Sequence, residues 1–272
     1  MTRELLVPRS LTELRQMAGS GRLIAGGTDL LVQMRAGRRE DRLIDLTNLS
    51  DRPRPVEAND GMVEISALAP IATVVRELQG RLPALAGAAR LFGSMQIRNR
   101  ATLGGNLANA SPAGDMFPPL IVAGAEAIID GPTGSRVTPV SGLATGPGRS
   151  VLTADEWIAK LRVPLPTGEE GFIKLGGRAA LAISIVSLAW RWNRRPDGTL
   201  TNVRLALGAV APTAIRSPQA ETVLEGRQPT AEVVAEAADA MRASIAPIDD
   251  VRGSAWYRRQ VAGDLLHQAL GT

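Results

Sequence analysis

The chain has 272 residues, of which 44% are hydrophobic, and a formal net charge of +4 from 31 basic and 27 acidic residues. This length exceeds that of one typical domain, so we expect two domains or one large two-lobed domain. Cysteine is absent and His267 is the one histidine, which excludes disulfides, thiolate-bound iron–sulfur clusters and the usual zinc sites.

The N-terminal part predicts a small α/β lobe. Residues 21–25 are expected to form a strand, residues 29–36 a helix with apolar residues at helical spacing, and residues 42–46 a second strand. Such a strand–turn–helix–strand unit is typical of a small α/β lobe. The proline-rich segment 51–55 predicts a subdomain boundary.

The following segment is predicted to combine strands and helices. We expect a strand at residues 62–67, helices at 73–78 and 83–92, and a hairpin at 126–137 around a Gly-Pro-Thr-Gly turn. Residues 96–115 are rich in Gly, Asn, Ser and Pro and show little periodicity. An irregular stretch of this length is uncommon unless it is functional, so this segment is a candidate site.

The C-terminal part predicts an α+β domain, because its strands precede its helices. A strand at 157–163 ends before the prolines of segment 164–168, which mark the main boundary. The elements expected beyond it are strands near 171–175, 184–192 and 200–210 and helices at 230–244 and 254–270. The predicted domains are residues 1–166, with subdomains of about 1–52 and 53–166, and residues 167–272.

Two glycine-rich turns carry the strongest functional signal, Leu23-Ile24-Ala25-Gly26-Gly27-Thr28-Asp29-Leu30 and Thr102-Leu103-Gly104-Gly105-Asn106. A Gly–Gly pair lets the backbone approach a ligand closely, and successive free N–H groups in such a turn bind anions. Two such turns could bind the two halves of one pyrophosphate, which indicates a dinucleotide-type cofactor. The first turn matches neither the Rossmann nor the Walker A pattern, and Gly–Gly pairs also form purely structural turns.

Composition disfavours several classes of function. The arginines are scattered, and one Tyr and three Phe offer little surface for base stacking, so we expect no nucleic-acid binding. No apolar run approaches the length of a membrane span, and the first residues lack an apolar leader, so we expect a cytoplasmic protein. A serine hydrolase is disfavoured because no Gly-x-Ser-x-Gly segment occurs.

Taken together, these segments resemble the flavin-binding medium subunit of the molybdenum hydroxylases, which include xanthine dehydrogenases, carbon monoxide dehydrogenases and related azaheterocycle hydroxylases. Residues 25–30 are similar to the family's first FAD loop, and residues 96–106, followed by 110–115, resemble its second. The C-terminal matches are residues 204–212 and Asp250-Val251-Arg252-Gly253-Ser254-Ala255-Trp256-Tyr257-Arg258. The resemblance covers nearly the whole chain in the family's order.

The resemblance implies that FAD is contacted by Leu23, Ile24, Ala25, Gly26, Gly27, Thr28, Asp29, Leu30, Phe92, Thr102, Leu103, Gly104, Gly105, Asn106, Asp115, Ile158 and Lys174. It places the N–H groups of residues 26–29 on pyrophosphate oxygens and makes residues 102–106 a second cradle with side-chain hydrogen bonds. Asp115 is expected to hold the adenosine ribose. From the residues alone, Phe92 could equally be a core residue, and Lys174 and Arg178 could be surface charges. No catalytic residue and no metal ligand is expected.

The fold implied is the FAD-binding fold of the p-cresol methylhydroxylase type, with two α/β subdomains, followed by a C-terminal α+β domain. The function implied is that of a subunit carrying non-covalent FAD, which takes electrons from an iron–sulfur subunit and passes them to an external acceptor. Its expected partners are an iron–sulfur small subunit and a large subunit with the molybdopterin cofactor, in a heterotrimer or a dimer of heterotrimers.

Some alternatives stay open. Family members of the xanthine dehydrogenase kind often have acidic residues shortly after the arginine that matches Arg178, whereas this chain has Ala179-Ala180-Leu181-Ala182-Ile183. The final acceptor, whether NAD, quinone, dioxygen or a carrier protein, is therefore not determined, and neither is the substrate of the molybdenum site. The alternatives to this function are a self-sufficient FAD-dependent oxidase of the same fold and a non-catalytic nucleotide-binding module.

Overall fold

A computed structural model of the chain describes residues 4–178 and 181–271. The strands in this part are β1 (Glu4–Leu6), β2 (Arg22–Ile24), β3 (Arg42–Asp45), β4 (Val56–Asn59), β5 (Met62–Ser66), β6 (Glu126–Gly131), β7 (Gly134–Pro139), β8 (Ala144–Gly146), β9 (Arg149–Ser150), β10 (Trp157–Pro164), β11 (Glu169–Gly176), β12 (Ser184–Arg194), β13 (Leu200–Gly208) and β14 (Ile215–Arg216). The helices are α1 (Leu11–Met17), α2 (Leu30–Arg35), α3 (Ile71–Leu78), α4 (Pro83–Leu91), α5 (Met95–Arg98), α6 (Leu103–Ala108), α7 (Phe117–Ala123), α8 (Pro218–Leu224), α9 (Ala231–Ser244) and α10 (Ala255–Leu270).

The N-terminal lobe is a parallel sheet with the strand order β1-β3-β2. Its core contains Leu14 of α1 and Ile44 of β3, and it is completed by Trp157 at the start of β10. The predicted strand–turn–helix–strand unit is confirmed by β2, α2 and β3, whereas β1 and α1 were not predicted. Because Trp157 belongs to the next sheet, this lobe packs directly against the rest of the molecule.

The central sheet is antiparallel, with the strand order β4-β5-β10-β6-β7. Helices α3, α4 and α7 contribute buried residues to the same core as β5, β6 and β10, including Val74, Leu85, Leu120 and Leu161. The predicted strands at 62–67 and 157–163, the two helices and the hairpin at 126–137 are all confirmed.

The expectation of an irregular segment at 96–115 is wrong in part, because this segment contains α6 and most of α5. Both helices are capped locally: Ser94 Oγ accepts a hydrogen bond from the N–H of Ile97, and Thr102 Oγ1 accepts one from the N–H of Gly105. Such caps stabilise helices that are too short to show periodicity.

Helix α7 was also not predicted, because Pro118 and Pro119 interrupt an otherwise helical pattern. Both prolines lie in the first turn of the helix, where proline is tolerated.

The C-terminal domain is an antiparallel sheet with the strand order β11-β12-β13-β14, and helices α8 to α10 share its core. The strands and the two long helices expected here are confirmed, while α8 is an addition. The sheet also packs against the central core, to which it contributes Ala189 and Ala206.

A buried glutamate of the C-terminal sheet links the two domains. Glu170 Oε1 accepts a hydrogen bond from the N–H of Ala84 at the start of α4, and its other oxygen lies 3.4 Å from Arg191 Nε. Burial raises the pKa of the Glu170 carboxyl group, despite this hydrogen bond and the charge of Arg191. Arg191 thus pairs with Glu170 within the sheet, and the hydrogen bond from Ala84 ties β11 to α4, the helix that precedes Phe92.

Among the helices in residues 4–178 and 181–271, none is both long enough and apolar enough to span a membrane.

Candidate cofactor cleft

The first glycine turn connects the end of β2 to α2. The backbone N–H groups of Gly26, Gly27, Thr28 and Asp29 have no protein acceptor within the described residues. Gly27 has a φ of +70°, a left-handed conformation that glycine adopts without strain. A run of unpaired N–H groups in such a turn is a ready site for an anion.

The second glycine turn differs from the expectation, because its N–H groups already have acceptors. The N–H groups of Leu103 and Gly104 donate to the carbonyl oxygens of Ala69 and Ala67, and that of Gly105 donates to Thr102 Oγ1. The N–H of Asn106 donates to the carbonyl oxygen of Thr102. The turn is thus the first turn of α6, and it offers a ligand its side chains rather than its backbone N–H groups.

Two side chains of this second turn remain available. The Thr102 hydroxyl accepts from Gly105 but has no acceptor for its own proton among the residues described. Asn106 Oδ1 is buried and has no hydrogen-bond partner. A buried oxygen without a donor is costly, so this atom indicates a ligand group that donates to it.

The glycines bring the two turns and the neighbouring backbone into close contact. A Cβ atom on Gly26 would collide with the carbonyl oxygen of Arg100, which precedes the second turn. A Cβ atom on Gly104 would lie 2.6 Å from that of Ala67. At Gly105, by contrast, a Cβ atom would meet only Thr102 Oγ1, at 2.8 Å. Gly26 and Gly104 are therefore required by packing against backbone or Cβ atoms, whereas at Gly105 the Thr102 hydroxyl is the one close group among the described residues.

The two turns border one continuous cleft, which consists of a wide cavity of 790 Å³ and a narrow cavity of 370 Å³. The two cavities meet at the glycine turns, since they share the lining residues Arg22, Leu23, Ala25, Thr102, Gly105 and Ala108. The wide cavity extends past Trp157 and Ile158 of β10, and the narrow cavity extends past Phe92. The cleft thus has a middle lined by the glycine turns and two distinct ends.

Most of the residues predicted to contact a cofactor line this cleft. Residues 23–30, Phe92, Thr102, Gly105 and Asn106 line the narrow cavity, and Gly104 and Ile158 line the wide one. Leu103 is fully buried in the central core and lines neither cavity.

Asp115 and Lys174, two further residues predicted to contact the cofactor, bind each other in the structure. Asp115 Oδ2 accepts from Lys174 Nζ at 2.7 Å, and Asp115 Oδ1 accepts from the Ser184 hydroxyl at 2.5 Å. Lys174 Nζ donates in addition to the carbonyl oxygen of Ala182 at 3.1 Å. Asp115 lines neither cavity, and Lys174 borders a separate cavity of 310 Å³ that also contains Arg178. This geometry makes Asp115 the acceptor of a buried cluster within the protein, and Lys174 is not a surface charge.

Several lining residues were not predicted. Thr145, Arg149 and Leu152, on and after the β8–β9 hairpin, line the wide cavity. The C-terminal domain contributes Ile183 and Arg252 to the narrow cavity. Arg252 lies in the segment 250–258 that the resemblance singled out, but the sequence gives no signal that its side chain reaches the cleft.

Comparison with protein families identifies the chain. A model of the FAD-binding domain in molybdopterin dehydrogenases matches residues 3–166, which include both glycine turns. The chain belongs to this family. Residues 172–272 match a second model, the C-terminal domain of the carbon monoxide dehydrogenase flavoprotein.

Similar proteins span the chain almost end to end. It is 32% identical to the medium chain of carbon monoxide dehydrogenase from Hydrogenophaga pseudoflava, over 98% of this chain and 95% of that protein. It is 31% identical to the xanthine dehydrogenase FAD-binding subunit of Escherichia coli O157:H7, over 87% of this chain and 83% of that protein. One relative is thus the medium chain, and the other the FAD-binding subunit, of a dehydrogenase.

Solved structures show the same fold. A structure of carbon monoxide dehydrogenase from Hydrogenophaga pseudoflava matches with a TM-score of 0.92 and 32% identity, covering 100% of this chain and 96% of that chain. Quinoline 2-oxidoreductase from Pseudomonas putida 86 matches with a TM-score of 0.93 at 24% identity, over 99% of this chain and 95% of that chain, which supports the fold alone. The expected fold class is confirmed, and so is the expectation of a flavoprotein subunit of a molybdenum hydroxylase. The predicted domain boundaries and individual cofactor contacts stay predictions.

Proposed function

We propose that the cleft binds FAD without a covalent bond, and that the chain passes electrons from an iron–sulfur subunit through this FAD to an external acceptor. The observation that carries the proposal is the run of unpaired N–H groups at residues 26–29, which line the narrow cavity directly after Ala25, a residue that both cavities share. A dinucleotide has its pyrophosphate in the middle and a ring system at each end. The cleft matches this shape, because its two cavities meet at the glycine turns.

The donors and acceptors in the cleft fit FAD. The N–H groups of Gly26 to Asp29 suit the pyrophosphate oxygens, and the free proton of the Thr102 hydroxyl supplies a side-chain donor opposite them. Asn106 Oδ1 needs a donor, which phosphate does not provide but a ribityl hydroxyl does. Gly105 lines both cavities and has no side chain, which lets the cofactor cross the second turn closely.

The two ends of the cleft suggest the direction in which FAD lies. We place the adenosine in the wide cavity beside Ile158, whose side chain is buried in the floor of the cleft. The flavin ring then lies in the narrow cavity beside Phe92 and Ile183. Ile183 is 61% exposed, so this end is open to a partner that exchanges electrons with the ring. Asp115 and Lys174 then support the wall of the cleft from behind.

When bound, FAD supplies a ring that exchanges electrons singly or in pairs, while the protein positions the ring and tunes its potential. We assign no catalytic side chain to this chain.

The iron–sulfur clusters and the molybdenum cofactor are assigned to two partner subunits. The sequence has no cysteine for clusters, and the relatives are medium chains or FAD-binding subunits of larger enzymes. Within the described residues, no group of His, Asp and Glu could hold a metal ion.

The first test is the visible spectrum of the purified chain, followed by the spectrum of the supernatant after acid precipitation. We expect flavin absorption at one FAD per chain, which moves entirely to the supernatant and is identified as FAD by chromatography. A flavin that stays in the precipitate would contradict non-covalent binding. A colourless chain that takes up no added FAD would contradict the proposed function.

A further inference from the structure

We propose that Arg252 is the side chain with which the C-terminal domain raises the reduction potential of the bound flavin, because it places a cation at the flavin end of the cleft. This inference rests on the proposed function and on the direction given there for FAD. Of the described residues that line the narrow cavity, Arg252 and Ile183 are the two from the C-terminal domain. Of these two lining residues, Arg252 is therefore the one that carries a charge.

The backbone around Arg252 is held in place by local hydrogen bonds. Asp250 and Gly253 exchange two backbone hydrogen bonds, each of 3.2 Å, so that residues 250–253 form a closed turn. The N–H of Arg252 donates to Asp250 Oδ1 at 2.8 Å, and its guanidinium lies 2.8 Å from Asp250 Oδ2. The position of the guanidinium is thus set by the turn rather than by a free side chain.

A buried arginine fixes this turn beside the flavin end of the cleft. Arg258 is 2% exposed; it donates to Asp250 Oδ1 at 2.6 Å and to the carbonyl oxygens of Ile185 at 2.5 Å and Ala209 at 3.1 Å. Ile185 lies two residues after Ile183, and a Cβ atom on Gly253 would lie 3.3 Å from Ile185 Cγ2. Arg252 and Ile183 therefore come from two segments that pack on each other.

The cluster around Arg252 contains charges of both signs. Arg252 and Arg258 share one carboxylate, that of Asp250. Burial opposes ionisation of Asp250, but hydrogen bonds from Arg252 and the charges of both arginines outweigh it and lower the pKa of this carboxyl group. Asp250 is thus ionised at neutral pH, and Asp249, which accepts a hydrogen bond from the N–H of Ala255, adds a second acidic side chain to the cluster. Loss of the Arg252 charge would therefore leave two carboxylates against Arg258 alone.

Other charged groups of the narrow cavity belong to the N-terminal lobe. Asp29 accepts a hydrogen bond from Gln33, Arg38 pairs with Glu40 at 2.7 Å, and Arg22 lies where the two cavities meet. Arg252, by contrast, belongs to the wall that also contains Ile183. With FAD in the direction given above, Arg252 therefore lies on the side of the cavity that we assign to the ring.

A cation at this place favours the reduced flavin over the oxidised one. Taking up two electrons and one proton converts the neutral oxidised ring into an anion, and a nearby cation stabilises that anion. In the proposed function the electrons come from the iron–sulfur subunit. Because the Arg252 side chain is 40% exposed, solvent screens its charge, and we expect an effect of about tenfold on the ratio of affinities for reduced and oxidised FAD.

The test is an equilibrium reduction of the FAD-loaded chain by dithionite in the presence of a redox dye. Arg252→Gln is expected to lower the midpoint potential by about 30 mV, which corresponds to tenfold for a two-electron couple. Arg252→Lys retains the charge and is expected to keep the wild-type potential. The matched control is Arg227→Gln, because Arg227 is similarly exposed (45%) and pairs with Glu236 on the far helix α9.

The outcomes separate this inference from the proposed function. A lower potential in Arg252→Gln alone supports the role of Arg252, and the difference from wild type is expected to shrink at high salt. An unchanged potential, with or without weaker binding of oxidised FAD, overturns that role and leaves FAD binding intact. A wild-type chain that binds no FAD contradicts the proposed function and this inference together. Among the described residues, the hydrogen bond and the ion pair of the Arg252 side chain are both with Asp250, so we expect Arg252→Gln to fold, which circular dichroism checks.

Discussion

Asp115 Oδ2 lies 2.7 Å from Lys174 Nζ, and each of the two side chains is 7% exposed. The pair links the segment after α6 to the end of β11, and Ser184 extends it to the start of β12. Both residues match cofactor contacts in the family pattern, yet in this structure they bind each other. Their arrangement therefore supports a structural role in the wall of the cleft.

Removing one partner of this pair should destabilise the protein. Asp115→Asn leaves the Lys174 ammonium buried without a counterion, and such changes cost about 3–5 kcal/mol. Urea unfolding of the FAD-free chain measures the loss. The control is Glu236→Gln, which removes a carboxylate from the exposed pair with Arg227 and should cost less than about 1 kcal/mol. If Asp115→Asn weakened FAD binding but left the free energy of unfolding unchanged, Asp115 would be a ribose ligand, as the family pattern suggests.

Replacement of Gly105 should block FAD while the fold persists. A Cβ atom there meets only the Thr102 hydroxyl, so the side chain of Gly105→Val would project into the cleft where we place the cofactor. We expect at least a tenfold weaker affinity for FAD, measured by fluorescence titration of the FAD-free chain. Gly142→Val is the matched control, because a Cβ atom on Gly142 has nothing within 4 Å. Equal FAD affinity in the two variants would place the cofactor away from the second turn.

Thr102 is expected to serve both the fold and the cofactor. Its Oγ1 caps α6, and loss of a cap of this kind costs about 1 kcal/mol of stability. Thr102→Val should show that loss and bind FAD about tenfold less tightly, because one hydrogen bond to the phosphate is removed. Thr102→Ser keeps the hydroxyl and should restore both properties. If Thr102→Val lost stability alone, the hydroxyl would be a cap without a role in binding.

The ion pair at the rim of the wide cavity predicts a specific dependence of stability on pH. Arg136 binds both oxygens of Glu156, at 2.7 and 2.8 Å, and holds the pKa of this carboxyl group at about 2, below its ordinary value of 4.5. A carboxyl group whose pKa is lowered by folding stabilises the folded state above its ordinary pKa and loses that effect as the pH falls. Urea unfolding between pH 4.5 and pH 2 should therefore show a steeper loss of stability in the wild type than in Glu156→Gln. Parallel curves would contradict the assigned role of the pair.

The sequence is sufficient to predict those helices and strands whose pattern lies within a few neighbouring residues. The strands before and after the first glycine turn, the hairpin at 126–137 and the helix at 254–270 each have a clear period or a turn signal, and the structure confirms them. Helices α5 and α6 were not predicted, because single side-chain caps rather than a repeating pattern stabilise them. A cap involves one residue and is easily taken for part of a loop.

For the cleft, the sequence indicated the turns but not their chemistry. From the sequence alone, the N–H groups of both turns are equally available to a ligand. No residue pattern indicates that the N–H of Gly104 donates to Ala67 or that of Gly105 to Thr102. The contributions of Ile183 and Arg252 depend on how the C-terminal domain packs against the rest, which is a long-range property. Motif matching therefore identified one wall of the site, and the packing of the domains provided the other.

The most direct test of the account is an experimental structure of the chain with FAD bound. We expect the pyrophosphate within hydrogen-bond distance of the N–H groups of residues 26–29, the adenosine beside Ile158 and the flavin ring between Phe92 and Ile183. A flavin ring in the wide cavity beside Ile158 would contradict the assigned direction and the role of Arg252. A pyrophosphate away from residues 26–29 would contradict the central claim.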